Sequence, residues 1–487
     1  MNKSILRSVT LAAVTALGVT ACGGDGGGDV AGGGVTGTGI SYGTVTGFGS
    51  VFVNGVKYNT DAATIALDDN PGVEGELRVG MVVKLEGTVN DDKITGTATK
   101  IEYNDVLEGT VNTAPDLATN TMVVMGQTVR FDNLTVYEDK VSGATGTMVN
   151  FSGDVATNNV IEVSGWSDDS GVVRAARVER KAASLGAGAE LEIKGVVANL
   201  DEAGKTFTIG GLTINYANVV SVPSNLANGM MVEVKSTQTL SGNTMTASRV
   251  EAEDSPFTGM TSGRLEIEGY VTAVTGTEFT VLGQRVKTTS ATVYENGTAA
   301  DIAVGKKIEV KGTVGSDGTF TAVEISFRLP NNVEIEGTVT AVNSSANTVT
   351  VMGVAVQLNA VTQMEDASDA KQRPFALANL SSGDFVEIRG YMKDGQVIAT
   401  RLERDDLVSE VLLQGAVAAK ADDLSTLTIL GVTVNTSTSA VYRLTSDGPP
   451  VSRADFFSAV SANATVVKAK GAWNGSSIIA TEMEIED

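Results

Sequence analysis

The sequence predicts an all-β chain of six tandem small antiparallel β-barrels, five to six strands each, behind a leader and a glycine-rich tether. Three observations predict it. Gly reaches 55 residues while aromatics are only 5% of the 487, a profile of short strands and tight turns rather than helices. A strand with an internal glycine recurs six times; its glycines, Gly43, Gly109, Gly195, Gly269, Gly337 and Gly415, are spaced by 66, 86, 74, 68 and 78 residues. Such spacing suits one small domain per repeat and is too long for a solenoid rung. Finally, Cys22 is the single cysteine, so no internal disulfide can form and apolar cores alone must stabilise each unit.

Within each repeat the elements follow in a fixed order. The first strand reads "SYGTVTGF", "LEGTVNTA", "IKGVVANL", "IEGYVTAV", "IEGTVTAV" and "LQGAVAAK". A tight hairpin follows, as in "VFVNGVKY" or "VTVMGVAVQL", where glycine supplies a turn conformation other residues resist. A variable stretch comes next, often opening with a short strand such as "LTVYE" or "ATVYE". In the last copy it holds "SRADFFSAV", which places Ser452 as a helix cap with Asp455 three residues on. A glycine turn then leads into an alternating strand, "VGKKIEVKG" or "SGDFVEIRG", with one buried and one wet face. The third copy ends that strand in Ser236 where most others have glycine. A last strand, such as "GQVIATRLER", closes the unit. This order predicts a closed barrel with OB-like topology and a short helical turn between strands three and four. The repeats are placed at 40–104, 105–181, 190–254, 264–327, 332–405 and 410–487. Short linkers such as "RLPNN" predict a string of barrels with limited hinge freedom.

The strand-and-turn pattern of these repeats resembles an uncharacterised bacterial family of small repeated β-barrel domains, carried in tandem by secreted or lipid-anchored proteins. The resemblance spans roughly Ser41 to Asp487. It implies no catalytic residue, since the family has no agreed activity.

The N-terminus carries Lys3 and Arg7, then the uncharged, mostly apolar "SVTLAAVTALGV". A basic start and an apolar run too short to span a bilayer make residues 1–21 a secretory signal peptide. "VTAC" resembles the lipobox of bacterial lipoproteins. The resemblance implies cleavage between Ala21 and Cys22 and a diacylglyceryl group on the Cys22 sulfur. Gly23, rather than Asp, follows the cysteine, and by the same resemblance implies the outer membrane. Residues 22–39 have too little apolar content to offset their ordering entropy and read as a tether. The tether contains "GGGVTG", Gly32 to Gly37, which matches G-x-G-x-x-G but has no strand before it and no helix after it.

Composition excludes much chemistry. The chain has no histidine, which removes imidazole bases, catalytic triads and zinc sites that use imidazole. A net charge of −23 argues against nucleic acid as a partner. The candidate cation ligands are the pairs Asp68–Asp69, Asp91–Asp92, Asp168–Asp169, Asp405–Asp406 and Asp422–Asp423, all near turns that favour Asp for its own geometry. Trp166 and Trp473, at matching places near the end of the fifth strand, are hydrophobic covers for a barrel end or, in the sharper reading, glycan or peptide contacts. No cofactor and no metal is expected. The expected function is a non-enzymatic lipid-anchored envelope or cell-surface protein whose barrels act as a binding and structural stalk. Its expected contacts are the membrane, through Cys22, and a protein or glycan partner. The alternative is a periplasmic-face module that binds a small ligand or cation.

Overall fold

A computed structural model describes residues 35–486 except 49, 133, 143–144, 147–152, 168–170, 254–255, 258–259, 261, 329–331 and 446–448. The predicted leader, Ala21, Cys22 and most of the tether therefore lie outside the described residues, as do Asp168 and Asp169. Gly37, which ends the G-x-G-x-x-G match, opens a strand, not a helix.

The fourth repeat shows the plan. Its strands are Gly263–Thr275, Glu278–Val281, Gln284–Lys287, Lys307–Val314 and Phe320–Phe327. The first pairs antiparallel with the second and the fourth, the second with the third, and the fourth with the fifth. The third runs parallel to the fifth, Val286 beside Phe320, and completes the circle. This 1-2-3-5-4-1 order is the OB-like closure the sequence predicts, with one parallel pair among the antiparallel ones. Parallel pairing arises because two connections, not one, separate the third and fifth strands. A sixth short strand, Val293–Glu295, adds on beside the far half of the fifth. Apolar side chains from alternate positions fill the interior: Leu265, Ile267, Val281, Val286, Val310, Phe320 and Ile325 are all buried.

Closure requires sharp bends, and glycine makes them. The first strands shift register just past their glycine, between Val271 and Ala273 here and at equivalent places in repeats one, two, five and six. The first-strand glycine leaves room for the hairpin tip. A Cβ on Gly109, Gly269 or Gly415 would crowd Met125, Leu282 or Leu430. Each of those residues has positive φ and precedes a positive-φ glycine, the signature of a type I′ turn. The fourth strand bends at a second glycine. Register shifts fall at Gly87, Gly165, Gly312, Gly390 and Gly471, where any Cβ would collide with a fifth-strand carbonyl oxygen.

The third repeat tests this account, because Ser236 stands at that glycine position. Its fourth strand stops at Ser236, whose Oγ donates to the Thr246 carbonyl oxygen at 2.7 Å. Its fifth strand is split into Thr244–Thr246 and Arg249–Ala252. The segments between strands three and four hold single 3₁₀ turns in three repeats. In the sixth they hold the helix Arg453–Ala459, whose N-cap Ser452 accepts from the Asp455 N–H as the sequence predicts.

The barrels are not a hinged string. The near half of each first strand pairs with a neighbour's first strand: second with third, fifth with sixth, both antiparallel, and first with fourth in parallel. Three first-strand seams therefore join the six barrels in pairs. Further contacts cross between pairs. The Val82 N–H of barrel one donates to Ser164 Oγ of barrel two at 2.8 Å, and Arg373 of barrel five lies 3.4 Å from Glu138 of barrel two. Shortness of the linkers is compatible with either arrangement; the unpaired strand edges decide it.

Gly390→Ala is expected to destabilise the chain by about 2–3 kcal/mol, because its Cβ meets backbone rather than a side chain that can move. Gly75→Ala, into open space, should stay within about 0.5 kcal/mol. Urea unfolding of the two variants checks the contrast; equal midpoints would remove the bulge from the account.

Candidate functional site

The first strand brings the residue before its glycine directly opposite a fourth-strand residue. In three barrels both are glutamates: Glu108 faces Glu162, Glu268 faces Glu309, and Glu336 faces Glu387. In the others the pairs are Tyr42 with Lys84, Lys194 with Glu233, and Gln414 with Lys468. Like charges directly opposite repel, so each glutamate pair must find a cation elsewhere.

Barrel two finds it in Lys181, whose Nζ lies 2.7 Å from Glu108 and 2.9 Å from Glu162, while Tyr103 Oη donates to Glu162 at 2.6 Å. Barrel four uses Lys307, 2.6 Å from Glu268, with its Nζ 4.0 Å above the Trp166 ring. Thr44 adds its N–H and hydroxyl to the other Glu268 oxygen. Lys307 and Arg328 hold Glu268 down at about 2 despite its burial. In barrel five Arg389 pairs with Glu387 and Glu334. Burial, with Glu387 and Glu334 beside it, pushes the Glu336 carboxyl up to about 8.

Among the described residues, carboxylate oxygens converge within 4.8 Å of one another in three groups: Asp105–Glu108–Glu162, Glu334–Glu336–Glu387 and Glu387–Glu403–Asp405. Of the described aspartates singled out in the sequence, only Asp405 enters such a group. Asp68 accepts the Asp105 N–H at 3.0 Å, and Asp68 and Asp69 form a positive-φ turn. Asp92 and Asp423 each accept main-chain N–H groups two residues on, as turn residues do.

A cavity of about 120 Å³ opens where barrels one, four and five meet, lined by Thr44, Glu268, Lys307, Glu309, Arg328 and Tyr391 among others. Burial and the neighbouring Arg328 push the Lys307 ammonium down to about 8, and burial pushes Glu309 up to about 7. Such a set of donors and acceptors, with the rings of Tyr391 and Phe327, suits a small polar guest. It holds no histidine or thiol.

Trp166 is only 3% exposed, wedged between barrels. Its ring meets Tyr270 edge-on at 5.9 Å and packs with Val82 and Ala176. It covers a barrel end, as the plainer sequence reading has it, and leaves no face for a glycan. Trp473 packs partly buried on the shared core of barrels five and six. Sequence reasoning missed the facing glutamates, although "EG" in the first strand and "VEV", "IEV" or "VEI" in the fourth carried the signal.

The raised Glu336 gives a pH dependence with a definite sign. Its folded value, about 8, exceeds the ordinary carboxyl value of about 4.3. The folded state then holds this proton more tightly, so its stabilising contribution is full at acid pH and is lost as pH rises to about 8. Glu336→Gln should therefore gain on the parent as pH climbs, by on the order of 1 kcal/mol at alkaline pH. Urea midpoints at about pH 5, 7 and 9 check this; a pH-independent difference contradicts it.

No curated protein sequence matches the chain. The solved structure described as drosophila Unr CSD456 is similar over 46% of this chain and 98% of its own, at 12% identity and a TM-score of 0.13. The model of one protein family, the domain of unknown function DUF5666, matches residues 42–102, 108–179, 194–251, 268–326, 336–403 and 414–484. Those six matches cover most of the sequence, each falling on one barrel, and the chain belongs to this family as a six-fold tandem repeat.

Proposed function

We propose that the chain is a non-enzymatic, lipid-anchored envelope protein whose six barrels form a binding and structural stalk, stiffened in pairs by shared sheets. The observation that carries this reading is Cys22, the one cysteine of the chain, set in "VTAC" behind a basic and apolar leader. One acyl chain gives marginal membrane binding and two or more give stable anchoring, so a lipidated Cys22 suffices without a spanning helix. Among the described residues no helix is long and apolar enough to cross a membrane. The glycine-rich segment after Cys22 gives the barrels reach, and repeated barrels multiply weak contacts with a protein or glycan partner by raising effective concentration. Gly23 after the cysteine favours the outer membrane.

A second reading, a periplasmic-face module for a small ligand or cation, is favoured by the cavity between barrels one, four and five and by the converging carboxylates. Both readings share the anchor.

Cys22→Ala is expected to move the protein from the detergent phase to the aqueous phase in detergent partitioning and to abolish labelling with a fatty-acid analogue. Unchanged partitioning of the variant overturns the anchor. Protease treatment of intact cells then separates the two faces: loss of the barrels supports surface display, and survival until lysis supports the periplasmic module.

A further inference from the structure

We propose that Asp105, Glu108 and Glu162 form a site for a hard divalent cation of the calcium class, placed where the first three barrels meet. This inference does not depend on the lipid anchor. The three carboxylates come from different elements. Asp105 lies in the short segment between barrels one and two, Glu108 on the first strand of barrel two and Glu162 on its fourth. Their oxygens lie within 4.8 Å of one another. Two oxygens bound to one calcium ion, each about 2.3–2.6 Å from it, stand no more than about 5 Å apart.

The independent observation is Asp105 itself. Its side chain is 1% exposed, and its Oδ1 is sealed from solvent with no hydrogen-bond donor. A buried carboxylate oxygen is ordinarily paired or bound to a metal. The nearby lysines pair with other groups and not with the Asp105 carboxylate. Lys194 Nζ donates to the Asp105 carbonyl oxygen at 2.9 Å and to Glu192 at 2.8 Å, not to the Asp105 carboxylate. Lys181 bridges Glu108 and Glu162, so an ion held by all three carboxylates displaces its ammonium from between them. Around Asp105 stand Asp68, Glu162 and Glu192, which together with burial push its carboxyl well up. The junction thus carries more negative charge than its lysines neutralise. The other two acidic groups differ: among the described residues, no oxygen of Glu334, Glu336, Glu387, Glu403 or Asp405 is both sealed and unpaired.

The donor chemistry fixes the ion class. All donors are carboxylate oxygens, and the chain has no histidine and only the distant-in-sequence Cys22. Oxygen-only sites suit calcium, magnesium or manganese rather than zinc or copper. Asp68 of barrel one and Glu192 and Lys194 of barrel three border the site. An ion there fastens barrel two to the segment that joins it to barrel one, and its binding energy adds to the stability of that packing.

The test uses the purified full chain, stripped of metal with chelator and held at about pH 8. Calcium chloride is titrated in a calorimeter, and thermal melting is followed with and without the ion. The expected result is a saturable site and a melting midpoint raised by several degrees. Asp105→Asn should weaken calcium binding by at least about tenfold, while its metal-free melting midpoint equals or exceeds that of the parent. Glu108→Gln serves as a second variant should Asp105→Asn fold poorly, and Glu336→Gln should bind calcium like the parent. The proposal is overturned if calcium gives neither heat nor stabilisation up to about 10 mM, beyond the range of weak extracellular sites. It is equally overturned if both ligand variants bind calcium as the parent does. A parent that ignores calcium while Asp105→Asn gains stability would show that a proton, not a metal, neutralises Asp105.

Discussion

A strand has two edges, and a sheet of five strands can hide all of its edges only by closing on itself. In this chain the first strand carries that burden. Its near half pairs with the fourth strand on one edge, and past the bend its far half pairs with the second strand on the other. The bend that permits closure leaves one edge of the near half open. An open edge is a template for further pairing, and each barrel resolves it by pairing with another first strand. Closure of the barrels and their association in pairs therefore have one cause. The same glycine lies behind both, because a Cβ there would displace the hairpin tip that plugs the bend.

The seams determine which side chains are buried. Where first strands one and four run side by side, Gly39 lets the backbone of Arg264 approach, and Arg264 reaches Glu266 at 3.0 Å and Ser41 at 2.9 Å. Tyr58 closes the group through Ser41 at 2.7 Å. Arg264 and Glu266 are nearly inaccessible. A buried ion pair adds little net stability, because desolvation offsets much of its attraction, but a mismatched neighbour would leave a charge buried and alone. The antiparallel seams set apolar residues such as Leu107 against Ile193, and Ile335 against Leu413, next to charged ones, Glu108 opposite Glu192 and Glu334 3.3 Å from Lys468 of barrel six.

Local features of this fold were legible in the sequence, and relational ones were not. The strands, hairpins, bulge glycines and the Ser452 cap all depend on residues within a few positions of one another. Even the odd Ser236 announced the irregular third barrel. Barrel pairing was hidden because six copies share one grammar; nothing in "IEG" tells Ile267 that it will lie beside Tyr42 rather than a first strand next to it in sequence. The parallel third and fifth strands were hidden for the same reason. Trp166 was legible as a cover, but not the Tyr270 and Lys307 that cover it in turn.

The charged positions show how one scaffold diverges without changing its fold. The residue before the first-strand glycine points out of the barrel, so its identity is free of the core. Across the repeats it is Tyr42, Glu108, Lys194, Glu268, Glu336 and Gln414. The facing fourth-strand residue varies as well, and its charge opposes the first in only one pair, Lys194 with Glu233. Where both are glutamate, a nearby cation neutralises them, from the fifth strand in barrel two and from the fourth strand itself in barrels four and five. In barrel two it is the fifth-strand Lys181, in barrel four Lys307 backed by Arg328, and in barrel five Arg389. Each solution leaves the pairing of first and fourth strands in place. Change at this one position thus alters what a junction attracts while leaving the closed sheet beneath it intact.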